Sequence, residues 1–299
     1  MKKSIVILGI GLLAVAACTK DSRLESVSKG NSDSAVTIIS ASSSDDITRT
    51  HLGEALASTY PVLWDASDCI WVNGSSSTSI AIDAEDAKKA EFTLPVVEYP
   101  YCAVYPASAA SAFVSDDSGT RATVVLPATQ SYRPGSFDSA AAVMLGYAAS
   151  GQLNFKTAVA YLKIKIAGGA DPDDIVSVRV RANEDLETTV GDYGRQAMSG
   201  EFTATFTDGA CTLAPVVNAM QSVTLDCGAG VAQGTDLLIA IPAQVYTKGI
   251  NLFIVDASGH CQTIISKKAF SADPGTIYST EIQYNGGSAY QGAGIYTVL

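Results

Sequence analysis

The chain has 299 residues, with 30 acidic side chains against 19 lysines and arginines and a formal net charge of -11. This acidity disfavours binding to the phosphate backbone of nucleic acids and charge-driven docking on anionic lipid. The length suits one large domain or two ordinary domains.

The N terminus has the pattern of a secretory signal. A basic start precedes the apolar run Ile5–Ala17, and Cys18 follows directly. The run is shorter than the roughly 20 apolar residues that a membrane-spanning helix needs. Its last residues and Cys18 resemble a bacterial lipobox, in which the chain is cut before the cysteine and the cysteine sulfur receives a lipid. We therefore predict a signal peptide over residues 1–17, a lipid on Cys18 and an exported, membrane-anchored protein.

The five other cysteines are an odd number at irregular spacing, which is not the pattern of a disulfide framework. The sequence has no CxxC pair of the kind that binds zinc. Free cysteines are often buried as small hydrophobic residues. We predict that role for Cys69, Cys102, Cys211, Cys227 and Cys261.

Residues 18–34 are polar and lack hydrophobic periodicity, which predicts a flexible tether between the lipid and the fold. From Ala35 onward, apolar and polar residues alternate in short runs, beginning with Val36–Ile39. The clearest run has Lys163 and Lys165 on one face. Its other face is apolar and consists of Ala160, Leu162, Ile164 and Ile166. Short alternating strands separated by Gly, Asp and Ser predict an all-β sandwich protein.

A repeated pattern suggests two similar halves. Leu126-Pro127 precedes Gln130, and Ile241-Pro242 precedes Gln244, each after an apolar strand. Proline is tolerated at strand ends, so these segments are either equivalent strands of two domains or a chance repetition. We predict one sandwich over residues 35–150 and a second over residues 151–299.

The sequence has no pattern that predicts catalysis. His51 and His260 lie outside any HExxH motif, and GxSxG and GK[ST] motifs are absent. Cys261 follows His260 directly, and adjacent strand residues point to opposite faces, so the pair is poorly placed as nucleophile and base. Acidic pairs such as Asp173-Asp174 lack the ligand spacing of a calcium loop. We expect no enzyme activity, no metal and no cofactor.

The aromatic residues leave a second function open. Trp64, Trp71 and the tyrosines would stack on sugars if they were exposed, although Trp64 lies inside an apolar run that favours a core position. A monomeric surface lipoprotein that binds glycans is therefore the alternative function.

Four segments, taken in order, resemble the fimbrillin family, the type V pilin-like lipoproteins of anaerobic Gram-negative bacteria. The lipobox and tether come first, followed by a single strand. Thr48–Thr50 then leads to Trp64–Val72, which is similar to the family's W..(G/S)D.I.V segment. Tyr101–Ala107 is similar to its Y.AvYP segment, and Leu126–Gly146 to its LP..Q stretch ending in M.G. The resemblance covers nearly the whole chain.

The resemblance implies two transthyretin-like Greek-key β-sandwiches in tandem. In the family's stalk subunits, an arginine-specific protease cuts after the first strand, and a strand from a neighbouring subunit then fills the groove. Arg49 is the matching cleavage candidate here, and Arg23 is a second. The donor-strand candidates Ile295, Thr297 and Leu299 share one face. Stalk pilins usually end in a longer apolar strand, so an anchor or tip role is also open.

The first strand has two faces, and one of them should fill the groove. Val36, Ile38 and Ser40 form one face, and Thr37, Ile39 and Ala41 form the other. We expect the donor residues to replace Val36 and Ile38 in register.

The expected protein is thus a lipid-anchored structural subunit of fimbriae at the outer membrane and cell surface, contributing to adhesion. Its partners would be other fimbrial subunits or surface ligands of host or bacterial cells. The membrane contact would be made by the N-terminal lipid, with no nucleic-acid partner.

Overall fold

The computed structural model describes residues 35–43, 51–52, 62–168, 173–183, 196–208, 210–216 and 219–289. For residues 51, 52, 62, 288 and 289 it describes the backbone alone. The predicted signal, lipidation site and tether lie outside these ranges. In the described part of the chain, no helix is long and apolar enough to cross a membrane.

The described chain consists almost entirely of β-strands, which confirms the predicted all-β class. The first thirteen are β1 (Val36–Ser43), β2 (His51–Leu52), β3 (Val62–Leu63), β4 (Trp71–Val72), β5 (Ser75–Ser76), β6 (Ser79–Ile82), β7 (Lys89–Pro95), β8 (Tyr101–Tyr105), β9 (Ala110–Asp116), β10 (Gly119–Leu126), β11 (Thr129–Ser131), β12 (Met144–Ala148) and β13 (Leu153–Thr157). Two short 3-10 helices lie among them, at Ala107–Ala109 and Ser139–Ala141.

Twelve strands follow. They are β14 (Val159–Ala167), β15 (Ile175–Ala182), β16 (Gly200–Thr207), β17 (Ala210–Pro215), β18 (Ser222–Val231), β19 (Asp236–Pro242), β20 (Val245–Tyr246), β21 (Ile250–Asp256), β22 (His260–Ser266), β23 (Phe270–Ser271), β24 (Ile277–Gln283) and β25 (Ser288–Ala289). Most of them are short and end at Gly, Asp or Ser turns, as the sequence predicts.

The first hydrophobic core has residues from two sheets. One sheet has eight strands in the order β5-β4-β8-β12-β13-β1-β7-β6, and the other has four in the order β17-β16-β10-β9. Phe92, Phe155 and Leu153 come from the larger sheet, and Phe202 and Val124 from the smaller. Strands β2 and β3 form a separate pair.

The second core lies between a six-stranded sheet, β11-β18-β15-β21-β22-β25, and a three-stranded sheet, β19-β14-β24. Strands β20 and β23 form a further pair beside it. The apolar face predicted for β14 is buried in this core, which confirms that reading. Its members are Ala160, Leu162, Ile164 and Ile166.

The three-stranded sheet serves both cores. In β14, Tyr161 packs in the first core and Leu162 in the second. In β19, Leu238 packs in the first core, and Leu237 and Ile239 in the second. A strand covered on both faces has an unbroken apolar sequence, which is what residues 237–241 have.

Chain order and core membership do not coincide after Gly151. Strand β13 pairs with β12 and β1 in the eight-stranded sheet. The hairpin of β16 and β17 joins β10 in the four-stranded sheet, so residues 200–215 contribute to the first core. The division into sandwiches over 35–150 and 151–299 stays a prediction.

Candidate functional site

The candidate site is the place in the eight-stranded sheet that β1 occupies, which we call the β1 slot. It is bounded by β7 on one side and β13 on the other. Strand β1 pairs antiparallel with β7 along seven residues, from Val36 opposite Pro95 to Ser42 opposite Lys89. It pairs parallel with β13 only through Ala41, Ser42 and Ser43. The first strand of the described chain is therefore an interior strand of its sheet.

One face of β1 fills the first core. Ile39 is 1 % exposed and Ala41 is fully buried, whereas Val36 is 57 % exposed and Ile38 is 62 % exposed. The inward face is thus the one with Ile39 and Ala41. The expectation that a donor would replace Val36 and Ile38 is wrong in this respect, because those two side chains point to the outside and fill no pocket.

Trp64 forms an aromatic floor for the slot together with Phe92 and Phe155. Its ring makes edge-on contacts with Phe92 at 5.1 Å and Phe155 at 5.7 Å between centroids. Phe92 lies opposite Ile39 on β7, and Phe155 lies opposite Ser43 on β13. The indole therefore contacts residues on both walls of the slot, and its N–H donates to the carbonyl oxygen of Lys88 at 3.0 Å.

The predicted core position of Trp64 is confirmed, since its side chain is 3 % exposed. Its edge-on geometry with three aromatic neighbours is the arrangement that aromatic quadrupoles favour. The third neighbour is Tyr105, at 5.6 Å. Sequence reasoning predicted the burial but missed the role as a floor, because an apolar run gives burial without giving neighbours.

Side-chain hydrogen bonds join β1 to the chain on both sides of it. The Ser42 hydroxyl donates to Asn154 Oδ1 at 2.6 Å on the exposed side. The Val97 N–H donates to Thr37 Oγ1 at 3.1 Å. Ladder hydrogen bonds to β7 and β13 and the burial of Ile39, Ala41 and Ser43 also hold β1 in place, and a strand of similar pattern could provide both.

Apolar side chains are exposed at the start of β1 and after the end of β7. They are Val36 and Ile38 on β1, and Val96 and Tyr99 in the segment that follows β7. The Tyr99 ring stacks on Tyr101 with centroids 4.0 Å apart, and its hydroxyl donates to the Gly151 carbonyl at 2.9 Å. The Tyr99 ring of this stacked pair is exposed, and this exposure is the observation that favours a stacking surface for sugars.

A groove of about 480 Å³ lies between the β12–β13 hairpin and the β16–β17 hairpin. Its lining includes Tyr147, Lys156, Cys211 and Leu213. Burial raises the pKa of the Cys211 thiol, against a smaller opposite effect of Lys156. The raised pKa lowers the fraction of thiolate, which is the nucleophilic form, so Cys211 is less reactive than an exposed cysteine.

His260 lies at the β21–β22 turn, next to the buried carboxylate of Asp256. The buried Asp256 carboxylate accepts hydrogen bonds from the Tyr284 hydroxyl at 2.7 Å and the His260 backbone N–H at 2.8 Å. The His260 Nδ1 lies 3.6 Å from the same carboxylate, and one ligand atom from each of Asp173, Asp256 and His260 falls within 4.8 Å of the others. These bonds give Asp256 a structural role, which is to fix the β21–β22 turn to the strand end at Tyr284.

The predicted cysteine positions are confirmed for two residues. Cys102 and Cys227 are buried, and Cys69, Cys211 and Cys261 are half-buried; all five are free thiols. Burial raises the pKa of Cys102 to about 12 and that of Cys227 to about 11.

The other predicted site residues lie outside the described residues. They are the lipidation site Cys18, the cleavage candidates Arg49 and Arg23, and the donor-strand candidates Ile295, Thr297 and Leu299. Arg49 nevertheless falls in the seven-residue interval between the end of β1 at Ser43 and the start of β2 at His51. A cut there would separate β1 from the rest of the fold.

No protein-family model matches the chain, and no curated protein matches it. Among solved structures, it is similar to a candidate cell adhesion protein of Bacteroides uniformis, with 13% identity and a TM-score of 0.46 over 84% of this chain and 93% of that one. A candidate cell adhesion protein of Bacteroides ovatus has 12% identity and a TM-score of 0.44 over 84% and 93%. A fimbrial protein of Bacteroides ovatus has 8% identity and a TM-score of 0.27 over 85% and 50%. Values this low do not establish a common family or a common activity.

Proposed function

We propose that this protein is a lipid-anchored structural subunit of a cell-surface fimbria that assembles by strand exchange after cleavage at Arg49. The observation that carries the proposal is the position of β1. It is an interior strand of its sheet, the first strand of the described residues, and is followed in the chain by a segment that contains Arg49.

The physical consequence of cutting at Arg49 is an open slot. Strand β1 would be connected to the fold by hydrogen bonds and packing alone, and its departure would expose the facing edges of β7 and β13. It would also uncover the Trp64 floor. Unpaired edges next to an apolar surface are a template for a strand from another chain.

The anchor belongs to the same proposal. A lipid on Cys18 places the protein at the outer membrane, with residues 18–34 as the tether. The protein then acts as a structural and adhesive component without catalysis, and its partners are other subunits or ligands on neighbouring cells. Because Cys18 and the tether precede β1, a subunit that loses β1 after the cut also loses its lipid. Strand exchange at the slot therefore suits a stalk or tip subunit, whereas an anchor subunit would keep its lipid and its β1 and would join through the strand that it donates.

The alternative function is a monomeric lipoprotein that binds glycans. The exposed Tyr99 ring, stacked on Tyr101, is the observation that favours it. In that case β1 would stay in place and Arg49 would be an ordinary surface residue.

The test compares two matched arginine variants. The mature chain from residue 18 and its Arg49→Ala and Arg23→Ala variants are treated with an arginine-specific protease and examined by electron microscopy and size-exclusion chromatography. We expect polymers from the parent and from Arg23→Ala, and monomers from Arg49→Ala. Polymers from all three at equal levels would contradict cleavage at Arg49, and monomers from all three with binding to glycans would favour the alternative.

The anchor is tested separately. We expect mass spectrometry of the protein from cells to find an acylated N terminus at residue 18, and Cys18→Ala to block maturation. A mature N terminus elsewhere without lipid would contradict the anchor while leaving strand exchange open.

A further inference from the structure

The C-terminal residues, taken in reverse order, repeat the sequence of β1. Residues 36–41 are Val, Thr, Ile, Ile, Ser and Ala, and residues 298 down to 293 are Val, Thr, Tyr, Ile, Gly and Ala. Four of the six positions are identical, including the three whose side chains are on the inward face of β1. The remaining two positions are on the outward face.

The slot explains why the inward positions matter. Thr37 accepts a hydrogen bond from the Val97 N–H, Ile39 lies opposite the buried Phe92, and Ala41 lies between Ala90 and Leu153. The Ala41 position is fully buried beside the walls that Trp64 contacts. An incoming strand therefore needs a small side chain there and a branched one at the Ile39 position.

We propose that the C-terminal segment of a second copy of this chain enters the β1 slot in the direction opposite to β1. This proposal rests on the proposed strand exchange and adds its direction and register. Thr297, Ile295 and Ala293 take the positions of Thr37, Ile39 and Ala41. The donated strand runs parallel to β7 and antiparallel to β13, whereas β1 is antiparallel to β7 and parallel to β13.

The other direction fits the slot less well. With Ile295 at the Ile39 position and the donor running like β1, Thr297 would take the fully buried Ala41 position and Ala293 would take the Thr37 position. With Thr297 at the Ile39 position, Leu299 would take the Ala41 position, where three extra heavy atoms have no space. The reversed register is the one that places an alanine at Ala41.

The donor segment is longer in this register than the five residues Ile295–Leu299. It reaches back to Ala293, and Gly294 takes the position of the exposed Ser40. The outward Val298 and Tyr296 take the positions of Val36 and Ile38, so the exposed apolar face near Tyr99 is kept after exchange. The donor comes from a second copy because the proposed function is an exchange of strands between subunits.

A disulfide trap tests the direction. Ser42 and Asn154 face each other on the exposed side, where their side chains form a hydrogen bond, so cysteines at these two positions would be within disulfide reach. The acceptor copy carries Asn154→Cys, lacks residues 290–299 and is cut at Arg49. The donor copy carries Arg49→Ala, which keeps its own slot filled, with either Gly292→Cys or Val298→Cys.

In the reversed register, residue 292 takes the Ser42 position. If the donor strand instead runs in the direction of β1, with Ile295 at the Ile39 position, residue 298 takes the Ser42 position. We expect mass spectrometry to find a disulfide between residues 154 and 292 of different copies, and at least tenfold less between 154 and 298. A dominant 154–298 disulfide, equal yields, or neither disulfide would overturn the proposed register. A third chain, which carries both Asn154→Cys and Gly292→Cys and is cut at Arg49, tests where the donor comes from: a disulfide that forms only within this chain would overturn the second-copy donor.

A second pair of variants tests the inward pattern without cysteines. Ala293→Leu introduces a large side chain at the Ala41 position, and Gly294→Leu introduces the same side chain at the exposed neighbouring position. We expect at least a tenfold loss of polymer from Ala293→Leu and less than a twofold loss from Gly294→Leu. Equal effects would overturn the register. A different result decides the proposed function, which fails if the cut parent chain forms no polymer.

Discussion

The side chain of Gln130 forms with Ala240 the two hydrogen bonds that a neighbouring strand would form. Its Nε2 donates to the Ala240 carbonyl at 2.8 Å, and its Oε1 accepts from the Ala240 N–H at 2.9 Å. Gln130 is buried on β11, and Ala240 is buried on β19. One amide side chain thus completes the hydrogen bonding of a buried strand.

Gln130→Ala should therefore be strongly destabilising. The substitution leaves the Ala240 N–H and carbonyl without partners in a buried site, at a cost of about 1–3 kcal/mol for each group. We expect the free energy of unfolding, measured by urea denaturation, to fall by about 2–6 kcal/mol. Gln244→Ala is the control, since the Gln244 side chain donates to the Ala197 carbonyl at 2.7 Å and does not join both backbone groups of one strand residue. An equal loss for both variants would contradict the special role of Gln130.

Truncation of the two neighbouring isoleucines of β1 should change the free energy of unfolding by very different amounts. Ile39→Ala removes a buried side chain and leaves a cavity, so we expect a loss of about 2–5 kcal/mol in the free energy of unfolding. Ile38→Ala removes an exposed side chain and should change it by less than about 0.5 kcal/mol. Urea denaturation of the uncut protein measures both, and similar values would contradict the assignment of the inward face.

The buried tyrosines predict a loss of stability in alkali. Burial raises the pKa of Tyr161 and Tyr246, and burial followed by the hydrogen bond to Asp256 raises that of Tyr284. The folded chain keeps these protons when the unfolded chain releases them, so the stability is complete below the unfolded pKa of about 10 and is lost as the pH rises above it. Thermal unfolding at pH 8 to 11 should show a falling melting temperature above pH 10.

Two tyrosine variants separate a hydroxyl with a partner from one without. Tyr161 Oη has no hydrogen-bond partner among the described residues, whereas Tyr105 donates to Asp68 Oδ1 at 2.8 Å. Tyr161→Phe should keep or raise the free energy of unfolding by up to about 1 kcal/mol and make the alkaline decline shallower. Tyr105→Phe should lower it by about 1–3 kcal/mol. A loss from Tyr161→Phe as large as that from Tyr105→Phe would contradict this distinction.

The cysteines should fall into two classes of reactivity. Cys102 and Cys227 are buried and their pKa values are raised, so little thiolate forms at pH 8. We expect iodoacetamide to leave both unmodified in the folded protein and to modify both in urea. Labelling of Cys102 at the rate of the half-buried Cys69 in the folded state would contradict this expectation.

The sequence predicts the strands of this fold better than their partners. The alternation in residues 158–166 correctly gives the apolar face of β14, because burial of one face imposes a period of two. The same alternation around Phe202 predicts β16 but contains no information about its pairing with β10, which lies more than 70 positions away. Pairing depends on the three-dimensional arrangement of the sheets, which no local pattern encodes.

Two features of the structure, one in the β1 slot and one outside it, were beyond local patterns for different reasons. The burial of Trp64 follows from its apolar surroundings, but its contacts with both walls of the β1 slot depend on side chains from β7 and β13. Gln130 has a polar side chain in a core, and only the unpaired backbone of β19 explains its burial. The repeated Pro and Gln pattern marked both segments without giving the reason.

The sheet shared by the two cores has a consequence for cooperativity. Tyr161 and Leu162 are adjacent on β14 and belong to different cores, so opening either core removes the cover from one face of the same strand. The two halves cannot lose their packing independently without exposing β14 and β19 to water. We therefore expect one calorimetric transition with a van't Hoff enthalpy equal to the calorimetric enthalpy, and force applied through either half would be resisted by both.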